Sequence, residues 1–230
     1  MTKVENHRKK ALLNHLMELI TPKRRALFEK VLDNRTRHIA VVLEDIYQPH
    51  NASAVLRSCD LTGIQDVHII EDKNIYDVNP DVALGSSKWL NLIKHNNDVH
   101  NTLLAFNKLK KQGYRIVAST PHKEDYDLEN IPLDKKTAIV FGTELNGLSD
   151  IAIENADEFL KIPMYGFTES YNISVSAALI LFTLTNRLRN SEINWRLTEE
   201  EKTDILLEWS RRSVKRSDII ERQFLQKLKS

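Results

Sequence analysis

Apolar positions along this chain follow two rhythms. His38–Leu43 (HIAVVL), Asp66–Ile70 (DVHII), Tyr114–Ser119 (YRIVAS) and Thr137–Phe141 (TAIVF) are short, largely apolar runs, the pattern of strands covered on both faces. A further strand is expected near Trp89–Lys94, after an irregular stretch, and another at Glu158–Ile162. In the latter, DEFLKI alternates and halts at Pro163, which cannot donate to a strand ladder. Between the strands lie segments with helical spacing. One, from Asn51 to Thr62, is ended by Gly63, and one over 98–112 is closed by Gly113, glycine being a regular C-terminal signal. Two further helices, 3–20 and 22–33, precede the first strand, with Thr21 and Pro22 suited to start the second. Strands alternating with helices predict an α/β domain built on a parallel sheet covered by helices.

Ile162–Leu181 (IPMYGFTESYNISVSAALIL) departs from both rhythms: a strand end, a polar loop containing Gly166, then a helix of unusual apolarity from Ile173 to about Arg189. Asn172 is placed to cap that helix. A helix apolar all round is buried all round. Two settings satisfy this: a core helix inside one domain, or burial against both the helix's own domain and a partner subunit.

Composition narrows the setting. The chain has 230 residues, enough for one domain of about 150 residues with helical appendages. It contains no run of eighteen or so apolar residues, so no membrane association is expected. The N-terminus has charges but no uninterrupted apolar core, and a soluble, cytoplasmic protein is expected. Cys59 is the single cysteine, which excludes an intramolecular disulfide and a cysteine-built metal site.

The net charge of +1 conceals segregation. Residues 1–38 hold ten Lys/Arg against four Asp/Glu, residues 187–230 eleven against eight, and residues 39–186 twelve against twenty. Basic ends on an acidic centre suggest that the appendages meet a polyanion. The candidates are Lys23, Arg24, Arg25, Arg35 and Arg37, with Lys30, at one end. At the other, Arg211, Arg212, Lys215 and Arg216 lie beside Trp209, an Arg–aromatic grouping suited to RNA. A solvated helix face is the alternative.

No GxGxxG follows the first strand and no GxxxxGK[ST] occurs anywhere, so the two common nucleotide-binding loops of α/β proteins are absent. Instead, three polar clusters each follow a strand: Gln48–Arg57, Gly142–Ser149 and Pro163–Asn172. Ligands of open α/β sheets bind beyond the carboxyl ends of strands, so these loops should converge.

Three segments carry a resemblance. PHNASAVLRSCDLTG, IVFGTELNGLS and IPMYGFTESYNISVSAALILF resemble, in order and spacing, the three motifs of the TrmH (SpoU) family of SPOUT-class RNA ribose 2′-O-methyltransferases. The resemblance covers about residues 35–190. It implies a SPOUT methyltransferase domain at 37–190 with a C-terminal deep trefoil knot, flanked by N-terminal basic helices at 1–36 and a C-terminal basic helical extension at 191–230. It also implies a homodimer, S-adenosyl-L-methionine bound in the knot, and methylation of a ribose 2′-hydroxyl in tRNA, a guanosine of the D-loop being the usual target of the branch it most resembles. An rRNA-directed enzyme and a non-catalytic RNA-binding protein of the same fold are the alternatives. The second would predict loss of Arg57, Glu144 or Asn172, and all three are present.

The implied roles map residue by residue. Arg57 matches the motif-one arginine proposed to activate the 2′-hydroxyl. A side chain with a pKa above about 12 is a poor base, so positioning and charge stabilisation suit it better, and His50 is the alternative base. Asn51 matches the motif-one asparagine, although capping of the following helix would explain it equally. Glu144 matches the motif-two glutamate and is expected to orient Arg57 or the target ribose. Ser170 and Asn172 match the polar pair of motif three. Ser119 or Thr120, Gly142, Ile162, Met164 and Tyr171 occupy the cofactor-binding places. The implied reaction needs alignment and proton removal, and no metal. Tyr171 and Glu169 depart from the family pattern, which commonly has an aliphatic and a neutral residue at these positions.

Overall fold

The computed structural model describes residues 3–74, 85–123 and 125–228; part of the irregular stretch expected after Ile70 lies outside them. The chain divides into two compact units, one formed by residues 36–195 and one by 1–35 together with 196–230. The two terminal segments, expected as separate appendages, thus belong to a single unit.

The larger unit holds six parallel strands in the order β3-β2-β1-β5-β4-β6. They are β1 (Ile39–Glu44), β2 (Asp66–Ile70), β3 (Asn91–His95), β4 (Arg115–Ser119), β5 (Thr137–Phe141) and β6 (Glu158–Leu160). Central β1 is buried at all six positions, with Val41 opposite Val67 on one side and Ile139 on the other. Alternate residues serve opposite faces. Ile39, Val41 and Leu43 join a core with Val55, Leu56, Ile180 and Leu184. Ala40 and Val42 join another with Ala105, Phe106, Leu109 and Ala152. Helices α3 (Pro49–Thr62), α4 (Asn101–Lys111), α5 (Asp150–Asn155) and α6 (Ile173–Arg189) supply these layers. The sheet is therefore covered on both faces, as the near-continuous apolar runs required.

Boundaries moved for identifiable reasons. β6 stops at Leu160 rather than Ile162, where its partner β4 ends at Ser119; the chain at 126 also bonds to it, Tyr126 N donating to Phe159 O at 3.1 Å and Lys161 N to Tyr126 O at 3.0 Å. α4 begins at Asn101, not at 98, where Asp72 accepts from the Asn101 amide at 3.0 Å. Asn51 is not an N-cap. Pro49 opens α3 after Gln48, as suits a residue without an N–H, and Asn51 lies within the first turn. Gly63 and Gly113 do end their helices, with φ of 82° and 86°. Within the chain α6 is buried on one face only, which removes the setting of a core helix inside one domain. It packs on α3 through Ile173, Ala177, Ile180, Leu181 and Leu184, whereas Val175, Leu179 and Phe182 form an exposed apolar stripe.

The smaller unit consists of α1 (Lys3–Glu18), α2 (Pro22–Leu32), α7 (Glu199–Ser213) and α8 (Ser217–Lys227). Leu12, Leu13, Leu16 and Leu207 form its core, with Ile220 and Phe224 against it. Thr21 caps α2 by accepting from Arg24 N, and Thr198 with Glu201 forms a capping box on α7. Among the described residues, no helix is long and apolar enough to cross a membrane.

One histidine pair, buried at His68 and partly buried at His95, links the fold to pH. His68 on β2 and His95 on β3 stack, with Nδ1 and Nε2 3.0 Å apart. Burial, then His95 and Lys108, holds the His68 pKa down at about 3. Burial also lowers His95 and His38. Unfolded histidines take up protons near pH 6.5 that the folded state refuses, so stability falls as pH drops through that value. Between its unfolded and folded values, His68 removes about 1.4 kcal/mol per pH unit. Between about pH 6.5 and pH 5, His68→Gln should make the unfolding free energy less steep in pH, measured by urea titration. An unchanged slope would assign the dependence to other groups.

Candidate functional site

The three polar loops converge at the carboxyl ends of β1, β4, β5 and β6. Asn51, held by the first turn of α3, donates from Nδ2 to Glu144 Oε1 and to Gln48 Oε1. Asn172 donates from Nδ2 to Asn51 Oδ1 at 3.3 Å. Its own Oδ1 accepts from Ser174 N at 2.9 Å, so the residue that caps α6 also joins this chain of side chains. One residue from each cluster is thereby fixed: Asn172, Asn51, Glu144. The remaining oxygen of Glu144, Oε2, is buried and has no hydrogen-bond partner among the described residues. Such an acceptor costs about 1–3 kcal/mol until a donor reaches it, which makes it a seat for an incoming hydroxyl or guanidinium.

Beside this chain lies a cavity of about 390 Å³. All six residues expected to bind cofactor line it: Ser119, Thr120, Gly142, Ile162, Met164 and Tyr171, together with Glu144 and Ser170. Its floor is the turn after β5, closed by Thr143 N to Gly147 O at 2.9 Å and Gly147 N to Thr143 O at 3.0 Å. A Cβ on Gly142 would stand 2.3 Å from the backbone C and O of Gly147, so no side chain fits where that turn folds back. The volume, the backbone-rich floor and the apolar walls from Ile162 and Met164 suit a flat heteroaromatic ligand.

Arg57 stands apart. It lies six residues beyond Asn51, roughly 9 Å along the axis of α3, and is exposed. It is absent from the cavity wall and has no ion pair or hydrogen bond to a described residue. That removes a structural ion pair as its explanation, and also the expected Glu144–Arg57 contact within the free chain. His50 is exposed as well.

Among the expected RNA-contacting residues, Lys23, Arg24, Arg212, Lys215 and Arg216 are exposed and Arg25 is partly so. Three differ from expectation. Arg35 is buried, its guanidinium 5.5 Å from the ring of Trp209, itself buried against Phe28. This arginine–aromatic pair is core, not surface. Arg37 pairs with Asp66 at 3.0 Å. Arg211 is held by Glu208 and by Glu221, the latter at 2.6 Å.

Two features escaped the sequence reading. His122 and Lys123 also line the cavity; their signal was position alone, directly after the end of β4. Glu44, at the end of β1, is buried and accepts from Ser149 N at 2.9 Å, Ser149 Oγ at 2.7 Å and Thr102 Oγ1 at 2.6 Å. It thus ties the far end of the Glu144 loop to the central strand. Nothing in a strand-terminal glutamate announces this. Glu44→Ala should strand those donors, lowering unfolding stability by about 2–3 kcal/mol and weakening ligand binding in the cavity. Urea titration and calorimetry check both effects.

The SpoU rRNA Methylase family model matches residues 38–182. The chain belongs to this family. A relative in Borreliella burgdorferi, named tRNA (guanosine(18)-2′-O)-methyltransferase, is 47% identical over 206 residues, covering 90% of this chain and 93% of the relative. Among solved structures, an A. aeolicus TrmH/SpoU tRNA modifying enzyme superimposes with a TM-score of 0.74 at 30% identity, covering 84% of this chain and 97% of that one. The SpoU methyltransferase AviRb from Streptomyces viridochromogenes, solved in complex with AdoMet, shares the fold with a TM-score of 0.55 at 20% identity, over 70% of this chain and 62% of its own.

Proposed function

We propose that this SpoU-family chain is a tRNA (guanosine(18)-2′-O)-methyltransferase that uses S-adenosyl-L-methionine. The observation that carries the reading is the side-chain link Asn172–Asn51–Glu144, which draws one polar residue from each motif to the edge of the cavity. The name of the Borreliella relative, similar over nine tenths of the chain, favours tRNA and guanosine 18 over rRNA.

The cavity residues fit the cofactor: the turn from Gly142 to Gly147, folded back too closely to admit a Cβ on Gly142, gives a backbone floor, with Ile162, Met164 and Tyr171 as walls. When bound, S-adenosyl-L-methionine supplies an electrophilic methyl group on a sulfonium. The unpartnered Oε2 of Glu144 accepts a donor from the ribose or from Arg57. Asn51 orients Glu144, and Asn172 orients Asn51. Arg57, whose charge no fold contact uses, pairs with an RNA phosphate and steadies the developing alkoxide. Ser170 lies on the cavity rim, where its hydroxyl helps to seat the ribose.

The wider reading follows from the same features. A trefoil knot is supported by the passage of the chain from β5 across β4 to β6 and by the return of α6 onto α3. A homodimer is supported by the exposed stripe of Val175, Leu179 and Phe182. The terminal basic residues, with Lys23, Arg24, Lys215 and Arg216 foremost, hold tRNA, and the protein works in the cytoplasm. Incubation with tritiated S-adenosyl-L-methionine, total tRNA and total rRNA, followed by mapping of the labelled nucleotide, tests the reading. Label at guanosine 18 of tRNA is expected; label confined to rRNA, or none, contradicts it.

A further inference from the structure

The loop between β6 and α6 has a rim and a tip that differ sharply. Met164 at one end and Glu169–Tyr171 at the other line the cavity, and Asn172 is fixed to Asn51. Between them, Tyr165 and Phe167 stand 97% and 109% exposed, the highest values among the large apolar side chains described. A Cβ on the intervening Gly166 would meet nothing within 4 Å, so none of the described residues closes over this tip. Two rings left wholly in water forgo most of the burial that makes an aromatic residue favourable. Their occupant must come from outside the chain.

We propose that Tyr165 and Phe167 hold an unstacked nucleobase of the substrate RNA at the rim of the cavity. The proposal rests on the reading of the chain as an RNA ribose methyltransferase. Three observations favour a base over other occupants. First, a ribose whose 2′-oxygen reacts at Glu144 carries its base on the adjacent carbon, within reach of a neighbouring loop. Second, the segment 39–186 holds twelve Lys/Arg against twenty Asp/Glu, so the domain as a whole offers phosphates no net attraction. Stacking gives affinity that needs no positive charge, because every base has a π-face. Third, Thr168, Glu169 and Ser170 are exposed and polar, so along the chain the two rings are set apart from Tyr171 and from the apolar stripe of α6. Withdrawing a base from a folded RNA costs a few kcal/mol, which ring contacts offset. The rings select for shape and flatness, and therefore favour a purine.

The test uses the full chain and a tRNA transcript with 2-aminopurine at the nucleotide that is modified. Tyr165→Ala and Phe167→Ala should each weaken transcript binding between about 5-fold and about 100-fold and relieve the quenching of 2-aminopurine. Tyr165→Phe and Phe167→Tyr should restore both. Cofactor affinity and sedimentation should match wild type throughout. A double alanine variant with wild-type RNA affinity and quenching would overturn the proposal. A parallel loss of cofactor affinity would make the tip a wall of the cavity, and a smaller sedimenting species would make it a contact between copies; either also overturns it. Quenching is read without turnover, so a wild-type chain that methylates no RNA contradicts the functional reading separately from the stacking result.

Discussion

Replacing Arg57 with alanine is expected to lower methyl transfer by at least about 100-fold while leaving the fold and the cofactor site intact. The reason is the isolation of this side chain. It is exposed on α3, contributes nothing to the cavity wall, and makes no hydrogen bond or ion pair with a described residue. Its loss should therefore change the unfolding free energy by no more than about 0.5 kcal/mol. On the proposed reading, Glu144 Oε2 and the Arg57 guanidinium, neither with a hydrogen bond among the described residues, are the acceptor and the donor that the incoming ribose and its phosphate engage. Arg57→Lys keeps the charge but loses the planar fork, and should fall between wild type and alanine. Single-turnover rates at saturating cofactor, with calorimetric cofactor titration beside them, read the two effects. Wild-type turnover in Arg57→Ala would remove this residue from the chemistry.

Gly142→Ala is expected to abolish cofactor binding and to destabilise the larger unit by about 3 kcal/mol. The new methyl group would lie 2.3 Å from Gly147 C and O and 2.5 Å from Leu148 N. All three are backbone atoms of the turn that forms the cavity floor, so relief means opening the turn. That movement displaces Glu144 and breaks its link to Asn51. Gly166→Ala supplies the control: it has open space at the Cβ position and no left-handed φ, and should bind cofactor as wild type does. Calorimetry on the two variants separates a close backbone approach from a general intolerance of side chains in these loops.

The sheet was legible in the sequence because buried parallel strands leave near-continuous apolar runs, and glycines punctuated α3 and α4 in the expected places. The cavity was legible because its lining comes from loops that follow strands, and their positions are given by strand order alone. What the sequence did not disclose depends on contacts between distant segments. Arg35 and Trp209 are far apart in the chain and looked like separate surface features; in the fold they are one buried contact. Arg211 read as a free cation until Glu221, ten residues later, came to lie against it. A cap at Asn51 requires the helix to start after it, whereas Pro49 opens α3, and its partner Glu144 lies 93 positions away. Local pattern reports periodicity and turns; it does not report which charges find one another.

The assignment as a guanosine-18 ribose methyltransferase is tested most directly with two tRNA transcripts that differ by one atom, one with ribose and one with 2′-deoxyribose at guanosine 18. The full chain with tritiated S-adenosyl-L-methionine should label the first and leave the second unlabelled, while binding both with similar affinity. Equal labelling of the two transcripts would contradict the assignment.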